Sequence, residues 1–110
     1  MNIYVIGPVT GKENENREEF ERVRDELIAS PHTHNVDIPH NHVEPWDEWR
    51  DAMCGSIRAM LWLARYSGVG DIPGFGIAML DGWEHSRGAR IEHDLAEALG
   101  IECRPWREWL

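Results

Sequence analysis

The chain has 110 residues, of which 42% are hydrophobic, and its formal net charge is −9. These values predict a single globular domain over residues 1–110 and argue against a general nucleic-acid-binding surface, which is normally basic. They are compatible with a small anionic ligand, which needs only a few N–H groups and arginines. No apolar run approaches the roughly 18 residues of a membrane span, and no basic leader precedes the first strand. We therefore expect a cytoplasmic protein without a nucleic-acid or membrane partner.

The first part of the chain predicts a strand, a loop and a helix. Residues 3–6 are β-branched or aromatic and predict a strand that ends at Gly7. The loop at 7–11 holds two glycines and can pass close to a ligand, and a plain strand-to-helix turn is the alternative interpretation. Residues 14–30 predict a helix with one apolar stripe, formed by Phe20, Val23, Leu27 and Ile28.

Four of the six histidines lie within residues 32–42, around a short predicted strand at 36–38. The two His-x-His pairs could bind a transition metal, because alternate residues of an extended chain point the same way. A solvated loop is the favoured interpretation, since no cysteine joins them. Cys54 and Cys103 lack metal-ligand spacing and are expected as reduced thiols, with a single disulfide as the alternative. We assign no metal site.

Residues 46–66 predict a second helix with a long apolar stripe that fits a core or a homodimer interface. The glycine-rich stretch at 67–76 follows and is expected near the ligand site, as a lid or a simple loop. The stripe comprises Trp46, Trp49, Met53, Ile57, Met60 and Ala64, and Leu61 widens it.

The stretch at 77–92 carries the strongest functional signal. An apolar run at 77–80 predicts a buried strand, an Asp-Gly pair predicts a turn, and a helix follows. Ser86 stands at the N-cap position of that helix, whose first N–H groups are free to bind an anion. Gly88 lets a ligand approach the backbone, and Glu92 comes one and a half turns after the cap. The apolar stripe of this helix is predicted at Ile91, Leu95, Ala98 and Leu99.

A final short strand at 101–103 and a tail at 105–110, with two tryptophans that pack down, complete the chain. Strands that alternate with helices predict an α/β fold: a small Rossmann/flavodoxin-like three-layer domain with a mostly parallel sheet flanked by helices. Ligands bind at the carboxyl ends of the strands in such sheets. The loops at 7–11 and 81–88 both follow strands, and so we expect them to share one site.

Two motifs, IYVIGPVTG at 3–11 and GWEHSRGARIE at 82–92, resemble those of the small phage and bacterial proteins with the DUF4406 domain. That group resembles the nucleoside 2-deoxyribosyltransferase superfamily, which includes the 2′-deoxynucleoside 5′-phosphate N-hydrolases. The resemblance implies that Glu92 attacks the sugar C1′ and that Tyr4 orients it. It also implies that Ser86 and the N–H of Gly88 bind a 5′-phosphate. On physical grounds, helix N–H groups and Arg87 or Arg90 could meet the charge of that phosphate. Residues expected to bind the substrate are Gly7, Pro8, Thr10, Gly11, Gly82, Trp83, Ser86, Arg87 and Gly88.

The chain departs from the superfamily pattern at the aspartate that helps to handle the leaving base. An ungapped alignment from Leu80 places Phe75 there, and Asp81 or Asp71 is the candidate replacement acid. Trp83 is expected either to stack on the base or to fill the core. The predicted function is an enzyme that needs no metal or organic cofactor and cleaves, or transfers from, the base–sugar bond of a nucleoside 5′-monophosphate. The alternative is a nucleotide-binding or sequestering module without turnover, and a metal-binding protein built on the histidine stretch is a third.

Overall fold

The computed structural model describes all 110 residues and contains one sheet of four parallel strands. Strand β1 pairs with both β2 and β3, and β3 pairs with β4, so that the order is β2-β1-β3-β4. This topology confirms the predicted α/β, Rossmann/flavodoxin-like fold. The strands are β1 (Asn2–Ile6), β2 (Asn35–Asp37), β3 (Phe75–Met79) and β4 (Glu102–Pro105).

Three helices connect the strands: α1 (Arg17–Ile28), α2 (Trp49–Tyr66) and α3 (Arg87–Ala98). Both α1 and α2 begin three residues later than the sequence predicts. Three left-handed residues precede α1, with φ of 49°, 58° and 59° at 14–16. A local turn precedes α2, because the Asp47 carboxylate accepts a hydrogen bond from the N–H of Glu44 at 2.9 Å. None of the helices has the length and apolar character needed to cross a membrane.

Alternate residues of β1 enter two separate core layers, as the period of two in a strand requires. Ile3 and Val5 face α1 and the C-terminal 3-10 turn at 106–109. The tail packs down as predicted, and the indole N–H of Trp109 donates to the Ile77 carbonyl at 2.9 Å. The remaining members of this layer are apolar: Phe20, Val23, Leu27, Val36, Ile38, Ala78, Leu80 and Trp106.

Tyr4 and Ile6 point to the opposite face, which α2 and α3 cover. The predicted stripe of α3 is only partly correct: Leu95 packs against this layer, whereas Ile91 and Leu99 are 39% and 54% exposed. The buried residues of this helix are Ala89, Glu92 and Ala96. Alanines at two of these positions bring the helix close to the sheet. Because the third position holds a charged residue, hydrophobic periodicity alone does not identify this face as the buried one.

The stripe predicted for α2 is also only partly correct. Trp46 and Leu61 are exposed, whereas Met60 is buried. Ser56 and Ala59, which the apolar pattern omitted, complete the buried face of the helix. Small residues again face the sheet, and they allow the helix backbone to approach it.

The connections from the two central strands leave in opposite directions: β1 leads through α1 to β2, and β3 leads through α3 to β4. The carboxyl ends of β1 and β3 therefore flank a topological switch point, where ligands bind in open parallel sheets. The glycine-rich stretch lies at the other edge, because it precedes β3 and the N–H of Asn2 bonds to the Gly74 carbonyl at 2.7 Å. The expectation that this stretch is near the site is therefore wrong.

Candidate functional site at the switch point

A buried chain of side chains joins the sheet to both helices below the switch point. The hydroxyl of Ser56 on α2 donates to Glu92 Oε2 on α3 at 2.6 Å. The phenol oxygen of Tyr4 on β1 lies 2.6 Å from the same serine oxygen. Tyr4 is fully buried and Glu92 is 5% exposed. These three side chains form the polar centre of an otherwise apolar layer.

The protonation of this centre is set by burial. Desolvation raises the pKa of Glu92 to about 7, and the hydrogen bond from Ser56 opposes the rise. Desolvation, followed by the nearby charge of Glu92, raises the pKa of Tyr4 well above its usual value. Tyr4 is therefore neutral at pH 7 and remains a donor, while Glu92 titrates near neutrality. A carboxyl group with such a pKa in a cleft is a marker of functional sites.

A narrow pocket of about 60 Å³ opens above Glu92. The Glu92 carboxyl lines its floor together with Ser56, and the side chains of α2 and of the 39–43 segment form an apolar wall. Glu92 is the one ionisable residue among the lining. The other lining residues are Gly7, Val9, Thr10, Pro39, Val43, Trp49, Ala52, Met53, Ser86, Gly88 and Ala89.

A wider, polar cleft of about 520 Å³ adjoins this pocket and shares Thr10, Trp49, Ser86 and Gly88 with it. Two cationic side chains, Lys12 and Arg87, line the cleft. The remaining lining residues are Pro8, Asp81, Gly82 and His85. An apolar pocket with a carboxyl at its floor therefore meets a cleft that carries positive charge.

Ser86 is the N-cap of α3, as the sequence predicts, and its Oγ accepts the N–H of Ala89 at 3.3 Å. The hydroxyl hydrogen of Ser86 remains available to donate, and the N–H groups of Arg87 and Gly88 have no backbone acceptor. The guanidinium of Arg87 lies over the Trp49 ring, 4.1 Å from its centroid. The helix terminus thus offers several donors to an anion in the cleft.

The loop after β1 is held against the site by close contacts. A Cβ on Gly7 would lie 2.7 Å from the Cβ of Leu80, so a side chain at this position does not fit. The Asn16 side-chain amide donates to the Pro8 carbonyl at 2.8 Å, which ties the loop to the left-handed segment before α1. Gly11, by contrast, is exposed and lines neither cavity.

The two candidate acids lie in different places. Asp81 lines the outer cleft and is paired with Arg107, 3.1 Å from its guanidinium nitrogen. Asp71 lies at the opposite edge of the sheet, beside Asn2 and Asn35. The structure therefore does not bring Asp71 together with Glu92, because a loop that precedes β3 lies at its amino end.

Trp83 and the four histidines of residues 32–42 also lie outside the lining of the two cavities. Trp83 packs on His93, with ring centroids 4.4 Å apart, and contributes to the core layer under α3. His42 lies 2.5 Å from the Asp37 carboxylate, whereas His40 bonds to the Glu15 carbonyl at 2.8 Å. His40 and His42 thus bond to different partners, and the group of side chains that could share a metal ion, His93, Asp94 and Glu97, lies outside the stretch.

Sequence reasoning missed Ser56 and Lys12. Ser56 lies three residues after Met53 and four before Met60, on the stripe of α2, so a hydroxyl in an apolar stripe was the available signal. Lys12 follows the first glycine loop directly, and a single cation after such a loop carries little signal.

The fold and the cavities define a small α/β protein with a candidate ligand site at the switch point of a parallel sheet. The chain belongs to the DUF4406 family, since the model of this family, described as a domain of unknown function, matches residues 1–104. The matched region includes α1, α2, α3 and every residue that lines the two cavities. Searches of curated proteins and of solved structures found no match.

Proposed function

We propose that this protein cleaves, or transfers from, the N-glycosidic bond of a (deoxy)nucleoside 5′-monophosphate. The observation that carries the proposal is the buried Glu92 carboxyl at the floor of a pocket that adjoins a cationic helix-terminus cleft. The resemblance of both motifs to the nucleoside 2-deoxyribosyltransferase superfamily supports the same reaction. No metal or organic cofactor takes part in it.

In the proposed reaction, Glu92 attacks C1′ of the sugar. A bond forms between a carboxylate oxygen and C1′, the C1′–N bond breaks, and its electron pair leaves with the base, which takes up a proton. Water or an acceptor base then attacks C1′ and releases Glu92. Of the two candidate acids, Asp81 is the one that lines a cavity adjoining the pocket, and it is our proposed proton source once it releases Arg107 and takes up a proton from solvent.

The phosphate end of the substrate is proposed to lie in the outer cleft. The Ser86 hydroxyl and the N–H of Gly88 donate to its oxygens, and Lys12 and Arg87 balance its charge. The loop at 7–11 covers the sugar phosphate. This arrangement accounts for an anionic ligand on a protein with a net charge of −9.

A second candidate function is nucleotide binding without turnover. It is favoured by one observation: no carboxylic acid besides Glu92 lines the inner pocket, and the Asp81 carboxylate is engaged by Arg107. A leaving base that receives no proton departs slowly. Such a protein would sequester its nucleotide.

The test is base release from a panel of ribo- and deoxyribonucleoside 5′-monophosphates and their unphosphorylated nucleosides. We expect release by the native chain and a loss of more than about 10³-fold in Glu92→Gln, because the amide is not a nucleophile. Glu97→Gln, an exposed change on the same helix, is the matched control and should retain activity. Nucleotide-induced stabilisation without any base release would instead establish the binding module.

The phosphate assignment has its own test in Ser86→Asp. Aspartate is as good an N-cap as serine, so α3 is retained, while its charge repels a phosphate. We expect kcat/KM to fall for nucleoside monophosphates and not for the unphosphorylated nucleosides. An equal fall in kcat/KM for both classes would show that the phosphate does not bind in this cleft.

We also propose that the protein is a cytoplasmic homodimer. Both cysteines are free thiols, as expected in a reducing compartment. The exposed face of α2 presents Leu61 and Trp62 beside Arg58 and Arg65, around an apolar groove. Sedimentation equilibrium should give twice the 12.7 kDa chain mass, and the Trp62→Glu variant should give the chain mass.

A further inference from the structure

The hydrogen-bond chain in the buried site has a direction. A serine hydroxyl has one hydrogen, and Ser56 donates it to Oε2 of the ionised Glu92 carboxylate. The 2.6 Å bond between Ser56 and Tyr4 must therefore be donated by the tyrosine. Tyr4 makes no hydrogen bond to Glu92 itself, and so its influence on the carboxylate passes through the serine.

We propose that Ser56 is the positioning residue of this site. Its hydroxyl, which the hydrogen bond from Tyr4 holds in place, fixes Glu92 Oε2 and leaves Oε1 facing the substrate. The catalytic meaning of this assignment rests on the proposed function. Oε1 accepts no hydrogen bond from the protein, and it is not among the enclosed polar atoms without a partner. Glu92 lines the pocket beside Ser56. One oxygen is thus held and the other is accessible.

Two glycines set the position of the helix that carries Ser56. A Cβ on Gly55 would lie 3.0 Å from the His42 carbonyl oxygen, so that glycine lets α2 approach the preceding segment closely. A Cβ on Gly88 would lie 2.8 Å from Met53 Sδ, so that glycine lets the first turn of α3 approach α2. Gly55 thus keeps α2 against the segment that precedes it, and Gly88 leaves room for the Met53 side chain between α2 and α3.

Few charged groups face the hydrogen-bonded side chains of Tyr4, Ser56 and Glu92. Ser56 from α2 is the hydrogen-bond partner of Glu92, Tyr4 from β1 is the partner of Ser56, and Asp37 on β2 acts only at a distance, on Tyr4. No lysine, arginine or histidine hydrogen-bonds to any of the three side chains. The hydrogen bond from Ser56 is consequently the interaction that favours the ionised form of Glu92, in opposition to desolvation.

The test is a double-mutant cycle read by ¹³C NMR titration of the Glu92 carboxyl in the full chain, with Ser56→Ala, Tyr4→Phe and the double variant. We expect the Glu92 pKa to rise by about one unit in Ser56→Ala, by less in Tyr4→Phe, and by no more in the double variant than in Ser56→Ala. Ser56→Thr retains the hydroxyl and should restore the native value. An equal effect of Tyr4→Phe with and without Ser56 would overturn the proposal, as would an unchanged pKa in Ser56→Ala.

Kinetic measurements of base release provide a second, independent test. If base release occurs, the acid limb of the pH profile of kcat/KM should shift in each variant by as much as the Glu92 pKa measured by NMR. Ser56→Thr should recover the native kcat. A shifted limb without a shifted NMR pKa would contradict a role through Glu92. If no nucleotide is cleaved, the titration still decides the role of Ser56 while the proposed function fails, so the two failures are distinguishable.

Discussion

The two core layers of this protein are built on opposite principles. The layer between the sheet and α1 is formed mainly by apolar side chains, with the buried His40 ring packed on Phe20, and is closed by two tryptophans of the C-terminal turn. The layer beneath α2 and α3 is smaller, relies on alanines, and encloses a tyrosine, a serine and a glutamate in one hydrogen-bonded chain. Successive residues of β1 enter the two layers in turn, so one strand supplies both Ile3 and Tyr4.

The difference indicates where stability and function lie. An apolar layer gains free energy from every residue that it buries, whereas a buried carboxyl costs free energy in its ionised form. The helices of the second layer hold that carboxyl beside a pocket instead of excluding it. A fold of this size retains such a group most easily if the other layer is strongly stabilising.

The largest expected effect on stability comes from breaking the apolar layer. Phe20 on α1 is fully buried, and Phe20→Ala should lower the free energy of unfolding by about 3–5 kcal/mol through lost transfer energy and a cavity. Urea denaturation measures the change. Ile28→Ala, at a half-exposed position on the same helix, should cost much less. Equal losses in the two variants would mean that this layer is not the main source of stability.

The next largest effect is a pH dependence of the free energy of unfolding, which arises from Glu92 and so belongs to the second layer alone. The pKa of Glu92 is raised by folding to about 7, so between about pH 4.5 and 7 the native state binds more protons than the unfolded state. Stability should therefore fall as pH rises through this range and then level off, by about 3 kcal/mol in total.

The matched comparison for this pH effect is Glu92→Gln, which should lack that component when unfolding is measured from pH 4 to pH 8. Glu97→Gln, whose carboxylate is exposed, should retain the native slope. A Glu92→Gln profile parallel to that of the native chain would show that the carboxyl is not desolvated.

The smallest effect concerns the boundary between the second layer and the cleft. Ser86→Ala removes the N-cap of α3 and should cost about 1 kcal/mol, whereas Ser86→Asp should be nearly neutral because it keeps the cap. Thermal unfolding of both variants checks this order. If both lose the same stability, the contribution of Ser86 does not come from capping.

The parts that the sequence predicts are those that follow from local patterns. The apolar run of β3, the cap at Ser86 and the edge shared by the loops at 7–11 and 81–88 need only periodicity and the direction of parallel strands. The same rule about direction puts Asp71 at the opposite edge, because its loop precedes a strand. That consequence was available from the sequence.

The parts that the sequence does not predict depend on packing between elements. The buried face of α3 contains the charged Glu92 itself. A search for hydrophobic periodicity therefore assigns the buried face to Ile91 and Leu99, which are exposed. Ser56 acquires its role only when α2 crosses above Tyr4 and beside α3. A hydroxyl in an apolar stripe hints at such a partner, but the identity of the partner is a property of the tertiary structure.

The contact between Arg87 and Trp49 has a practical consequence, because the indole borders both cavities and a cation lies 4.1 Å from its centre. Trp49 is one of six tryptophans, and the others line neither cavity. An anion that draws the guanidinium away changes the electric field on this indole and hence its emission. We expect the fluorescence of Trp49 to report occupancy of the cleft, and Trp49→Phe is the variant that should abolish the signal.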